Sequence, residues 1–220
     1  MSPAAPAIAI VDYGMGNRRS VEKAFAHIGA RPVLTAEHDA IRAADGVVVP
    51  GVGAFPRAME HLRALGLDEL IVELADACVP LLGICLGMQL LFERSVEVEP
   101  CEGLGLLRGD VRPLAADGLR VPHIGWNVAR FERASRLNAG LPAETAFYHV
   151  HSYAPHPADR EDVLATAEYG ERFVTAVARE NVFGVQFHPE KSSRAGLRLL
   201  ASFSAACDRE RLGAGTGGAA

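Results

Sequence analysis

The feature that most narrows the fold is an alternation in the first half of the chain, where short apolar or β-branched runs are each followed by a stretch of helical period. The run "AIAIVDY" (7–13) predicts a first strand. The segment from Arg18 places Val21, Phe25 and Ile28 on one helical face and stops at Gly29. "RPVLTA" and "DGVVVPG" repeat the strand signal, "AMEHLRALG" and "LDELIVELADA" supply helices, and "VPLLGI" gives a buried strand that ends at Cys85. Strands and helices in this order build βαβ units around a largely parallel sheet.

After about residue 97 the texture changes to short strands separated by turns: "LLRGDVRPL", "VPHIGWNV", "FYHVHSYAP", "VLATAEY", "RFVTAVARE" and "VFGVQFHP". These predict antiparallel or mixed sheet added to the parallel one. A last helix over about 194–207 carries Leu197, Leu200 and Phe203 at core spacing. No internal repeat or linker divides residues 1–207, which are expected to form one α/β domain. The remainder, 208–220, ends in "GAGTGGAA", has few side chains able to bury surface, and is expected to be a disordered tail.

At 220 residues, with 49% hydrophobic and 22% charged, the chain can bury a substantial core. A formal net charge of −5 argues against a nucleic-acid or anionic-membrane surface, which a mildly acidic field does not attract. The longest uncharged run, 77–92, falls short of the roughly 20 apolar residues of a membrane span and is interrupted by Pro80, Gly83, Gly87 and Gln89. The beginning, "MSPAAPAIAIVDYG", has no basic segment ahead of its apolar stretch, so no secretory leader is expected and the chain reads as cytoplasmic. Cys78, Cys85, Cys101 and Cys207 form no CxxC pair, so free thiols are expected, with neither a disulfide framework nor a zinc site.

The chemistry concentrates at predicted strand ends. "GICLGMQLLF" (83–92) runs from a strand through G-x-C-x-G into a helix, the form of a nucleophile elbow in which a tight turn exposes the nucleophile. At a helix N-terminus, Cys85 would gain thiolate character from the dipole and the free N–H groups. Taken alone, a cysteine is more often a small buried apolar residue; the flanking glycines and the strand-to-helix switch favour the functional reading. "VFGVQFHPEKS" (182–192) offers the proton carrier, with His188 leaving the sheet edge and Glu190 returning beyond Pro189 to hold the imidazole. Nucleophile, base and orienting carboxylate make a triad. "PGVGAF" (50–55) is a glycine turn after a strand, able to aim main-chain N–H groups of Gly51 and Val52 at a developing oxyanion. Strand ends of an open parallel sheet converge on one crevice. Together the three describe acyl transfer through a thioester: a cysteine peptidase, an amide hydrolase or an amidotransferase.

With these motifs the sequence resembles the class I, triad-type glutamine amidotransferases. Through "DYGMGNRRS" (12–20), "PHIGWN" (122–127) and "YHVHSY" (148–153) it is similar, more narrowly, to the glutaminase subunits of imidazole glycerol phosphate synthases, over about residues 7–205. The resemblance implies a three-layer flavodoxin-like fold. It implies that Cys85 attacks glutamine, that His188 protonates ammonia and then activates water, that Glu190 orients His188, and that Gly51, Val52 and Gly53 form the oxyanion loop. It implies substrate contacts from Gln89, from Glu97 or its neighbour Glu99, and from His151 and Ser152. Trp126, Tyr148 and Lys191 resemble positions facing a partner, a (βα)8-barrel cyclase that receives the ammonia and makes imidazole glycerol phosphate and AICAR in histidine biosynthesis. On the same analogy the isolated chain is nearly inactive until the cyclase docks. No cofactor or metal is implied: the chain has no P-loop or Rossmann glycine signature, and His149 and His151, two apart on a strand, read as satisfied core histidines.

Overall fold

The structure is a computed structural model and describes residues 5–208; the expected tail lies, but for Asp208, outside the described residues. The first half alternates as the periodicity predicts: β1 (Ala7–Val11), α1 (Arg18–His27), β2 (Arg31–Thr35), α2 (His38–Arg42), β3 (Gly46–Gly51), α3 (Phe55–Ala64), α4 (Leu67–Asp76), β4 (Leu81–Cys85) and α5 (Leu86–Leu90). Gly29 ends the first helix at φ +85°, a left-handed position that costs glycine little. Helix α3 starts three residues ahead of the "AMEHLRALG" signal because Pro56 suits a first turn, where its missing N–H is not needed.

The second half supplies β5 (Phe92–Ser95), β6 (Cys101–Glu102), β7 (Leu107–Pro113), β8 (His123–Phe131), β9 (Glu144–His151), β10 (Tyr153–Pro157), β11 (Val163–Tyr169), β12 (Glu171–Arg179), β13 (Val182–Val185) and α6 (Ser193–Ala206). A nine-stranded sheet has the order β2-β1-β3-β4-β13-β12-β11-β8-β9. Its first five strands are parallel neighbours and the remaining pairings are antiparallel. The antiparallel strands thus continue the parallel sheet across β13. A separate four-stranded sheet has the order β10-β7-β5-β6.

Strand alternation divides the core into two. Ile8, Ile10, Val48 and Leu82 pack with Phe25 of α1 and Phe203 of α6. Ala9, Val11, Val47 and Leu81 pack with Leu62 of α3 and Leu70 of α4. The parallel strands are therefore buried on both faces, giving helix, sheet and helix as three layers.

The run 147–155, a single strand by pattern, divides at Ser152: β9 belongs to the large sheet and β10 to the small one. The Ser152 carbonyl accepts from Leu114 N at 2.9 Å, beside the β10–β7 ladder, while His151 still pairs with His123 on β8. One residue of chain therefore spans the gap between two sheets.

Close contact fixes α5 over the sheet. A Cβ on Gly87 would lie 1.8 Å from the Val49 carbonyl oxygen, and one on Gly83 would lie 2.5 Å from that of Gly87. Neither neighbour is a side-chain tip able to move aside. Gly87→Ala is expected to destabilise the fold by about 3 kcal/mol or more, seen as a lowered thermal midpoint; an unchanged midpoint would show that the helix moves freely off the strand.

Candidate functional site

The β3–β4 register pairs Gly51 with Cys85, and the β13–β4 register pairs Val185 with Ile84. The cysteine thus ends its strand with the glycine loop on one side and the segment leading to His188 on the other. Cys85 has φ +55° and ψ −111°, a conformation that non-glycine residues avoid, in the tight turn the elbow motif predicts. The residue is only 6% exposed. The helix that follows has five residues, so its dipole is weak and the nearest strong electrostatic support for a thiolate is His188.

His188 Nδ1 donates to Glu190 Oε1 at 2.9 Å, which leaves Nε2 for Cys85. Burial works against the imidazolium, but the hydrogen bond with Cys85 and then that with Glu190 outweigh it and push the His188 pKa up to about 10. The ring is therefore held as an imidazolium beside the Cys85 sulfur. Glu190 is itself almost wholly buried, and its Oε2 has no hydrogen-bond partner among the described residues.

In front of the sulfur lies a cavity of about 250 Å³, the size for a small amino acid rather than a large ligand. Cys85, His188, Val52, Gly53, Gln89, Glu97, His151, Ser152 and Lys191 all border it. Glu97 is the acidic residue that reaches it, and one of its oxygens also accepts from Phe55 N at 2.8 Å; Glu99 is exposed and does not border the cavity. Gly51 is buried behind the loop, where a Cβ would lie 2.7 Å from the Tyr13 hydroxyl. Trp126 and Tyr148 do not border the cavity. They pair across β8 and β9 with their rings 6.2 Å apart, and Ile124, Trp126 and Val128 form an exposed apolar stripe on β8.

His151 donates from Nδ1 to the Tyr153 carbonyl at 2.9 Å and takes the His123 Nδ1 hydrogen at Nε2, 3.1 Å away. Both ring nitrogens are thereby committed within the protein, so a substrate contact at 151 would come from the main chain. His149 likewise donates to the Phe147 carbonyl and accepts from Thr175 Oγ1 at 2.7 Å.

Three further residues belong to the site that spacing alone did not single out. Asn17 Nδ2 donates to Glu190 Oε1 at 3.3 Å, bridging 173 positions of sequence. Tyr13 donates its hydroxyl to the Pro50 carbonyl at 2.6 Å; burial first, and then the charge of Cys85, push its pKa upward, so it remains a donor. Gln186 is fully buried and joins Gln89 to the sulfur. Asn17 and Tyr13 lie in "DYGMGNRRS", where the signal was a motif with no assigned role; Arg18 closes that loop by pairing with Asp12.

A strained cysteine facing a carboxylate-held histidine at the carboxyl ends of parallel strands is the constellation of an amide-cleaving cysteine enzyme, and the family described as "Glutamine amidotransferase class-I" matches residues 9–206. A relative from Moorella thermoacetica, named imidazole glycerol phosphate synthase subunit HisH, is 53% identical over 196 residues, covering 89% of this chain and 93% of its own. A protein of the same name from Aromatoleum aromaticum is 48% identical over 206 residues, covering 89% and 96%. The chain therefore belongs to the class I glutamine amidotransferases and, within them, to the family of imidazole glycerol phosphate synthase subunit HisH. The fold is shared more widely: a crystal structure of a glutamine amidotransferase aligns with a TM-score of 0.69 at 20% identity, over 90% of this chain and 98% of that one. PurLQS from Thermotoga maritima aligns with a TM-score of 0.72 at 18% identity, over 94% and 99%.

The buried histidines set an acid limit on stability. Burial, with the neighbouring rings adding to it against a main-chain hydrogen bond, pushes His151 down to about 4 and holds His149 well below the ordinary range. In the unfolded chain these rings titrate at about 6.5. Between those values the unfolded state binds more protons, so stability present above pH ~6.5 is lost as pH falls toward 4. His188 has the opposite sign: its contribution is complete below pH ~6.5 and is lost as pH rises toward 10, so above pH ~6.5 it offsets part of the acid loss. At pH 5, His151 alone should cost on the order of 2 kcal/mol. The thermal midpoint is expected to be lower at pH 5 than at pH 6.5, an interval over which the His188 contribution is nearly constant, by about 5 °C; equal midpoints would mean that these rings fold charged.

Proposed function

We propose that the chain is the glutaminase half of an ammonia-transferring synthase and hydrolyses glutamine through a Cys85 thioester. The observation that carries the reading is that Cys85, His188, Gln89, Glu97 and the 52–53 loop border one amino-acid-sized cavity. Cys85 Sγ attacks the side-chain amide carbon of glutamine. The carbonyl electrons move to oxygen, where main-chain N–H groups of the Gly51, Val52 and Gly53 loop receive them. When the tetrahedral intermediate collapses, the C–N bond breaks and His188 Nε2 gives its proton to the departing nitrogen, releasing ammonia. His188 then takes a proton from water, which attacks the thioester; glutamate leaves and the thiolate is restored. Glu190 keeps the His188 tautomer correct and stabilises the imidazolium between the two halves.

Gln89, with both amide hydrogens held by the protein, presents an oxygen to the substrate, and Glu97 offers a carboxylate to its ammonium group. Ser152 and the main chain at His151 border the amino-acid end. The partner in this reading is a (βα)8-barrel cyclase in a heterodimer, seated on the exposed face of Ile124, Trp126, Tyr148 and Lys191, which uses ammonia to form imidazole glycerol phosphate and AICAR in the cytoplasm. The relatives' designation as synthase subunits and the unpartnered apolar stripe support it. The glycine loop at 51–53 adopts its productive form when that partner docks.

Cys85→Ala is expected to reduce glutamine-dependent synthesis below detection while ammonia-dependent synthesis by the mixed proteins continues. Persistent glutamine hydrolysis in the variant would remove the nucleophile assignment. Glutamine turnover should be low for either protein alone and rise at least tenfold when both are mixed with the cyclase substrate; equal rates throughout would remove the coupling.

A further inference from the structure

We propose that Gln186 is a further catalytic residue: one end of its side-chain amide donates to the Cys85 sulfur and the other fixes the Gln89 amide that meets the substrate. This deepens the glutaminase reading and rests on it.

The orientation of both amides follows from a single atom. The Tyr153 carbonyl can only accept, so the Gln89 group 3.1 Å from it must be Nε2. The same Nε2 lies 3.0 Å from Gln186, which must therefore present its oxygen. That leaves Gln186 Nε2 facing Cys85 Sγ at 3.7 Å, a suitable length for an N–H donor to sulfur. Gln89 spends both its hydrogens, and its Oε1 is left as an acceptor at the cavity. A flipped Gln89 would set its oxygen against the Tyr153 carbonyl and aim its NH2 at the substrate's own donors.

Gln186 is fully buried, and a buried amide costs about 1–3 kcal/mol unless its groups are paired. A methionine would fill similar space without that cost. The position lies one residue beyond β13 and two before His188, with its backbone N–H bonded to Thr175 O at 2.9 Å, so the side chain is held by the sheet. It supplies what neither triad partner can: a neutral donor that stays on the sulfur while His188 carries its proton to the leaving nitrogen and back.

The test uses the complex with the cyclase and two variants. Gln186→Met removes both contacts; KM for glutamine is expected to rise about tenfold, kcat to fall about 100-fold, and iodoacetamide to alkylate Cys85 several-fold more slowly. Gln186→Glu keeps an oxygen facing Gln89 but places an acceptor against the sulfur, so KM should stay within about twofold while kcat and alkylation fall as in the methionine variant. Rates are referred to the fraction of Cys85, followed in its own peptide because Cys78 is exposed and also reacts, that saturating glutamine protects from alkylation, so partial misfolding does not enter. Wild-type KM, kcat and alkylation rate per protected site in Gln186→Met would overturn the proposal, leaving Gln186 a packing residue. So would equal KM changes in the two variants, which would remove the role through Gln89. A Cys85→Ala control that still hydrolyses glutamine would instead overturn the thioester reading itself.

Discussion

The structure depends on one backbone constraint, the positive φ of Cys85 at the end of β4. To hold a β-carbon-bearing residue there, the strand before it and the helix after it must pass so closely that Gly83 and Gly87 have no room for a side chain. The strained turn persists because β3 and β13 clamp β4 from both sides. Those flanking strands also bring the groups the sulfur works with. Gly51 lies directly opposite it, and Gln186 and His188 follow the end of the other neighbour. Parallel pairing therefore converts three separate segments into one rim, and no loop has to search for its place.

Around that rim, two runs of polar groups meet at the Tyr153 carbonyl, which accepts from both. Asn127 donates to His123, His123 to His151 and His151 to the Tyr153 carbonyl, which also takes Gln89; Gln89 donates to Gln186 and Gln186 to the sulfur. Burial keeps the histidines of the first run neutral, whereas His188, across the sulfur, is held in its charged form. The same residue type thus appears in two protonation states around one sulfur, and the hydrogen bonds of His188 with Cys85 and then with Glu190 are what separate them.

Much of this was legible in the sequence. Strand-sized runs and helical periods marked out the alternating first half, and the glycines around Cys85 and after residue 50, with the end of the apolar run before His188, marked strand ends where chemistry could gather. What was not legible depended on distance through space. The division of 147–155 between two sheets has no local signal, because both halves read as strand and only the Leu114 and His123 pairings tell them apart. Helix α5 looked longer in the pattern, since "GMQLLF" is apolar enough to continue a helix; Phe92 instead pairs with Leu107. Asn17 on Glu190 and Gln186 on Gln89 were invisible for the same reason: each is an ordinary polar residue until the fold supplies its partner.

The stripe on β8 has a practical consequence. Trp126 is the only tryptophan in the chain, and it is 56% exposed beside Tyr148 rather than buried in either core. Its indole is therefore a natural fluorophore set on the outside of the molecule, indifferent to most internal rearrangements and sensitive to whatever displaces water from that face. Emission from an unlabelled sample can thus report the arrival and departure of a second macromolecule in real time, with no dye attached.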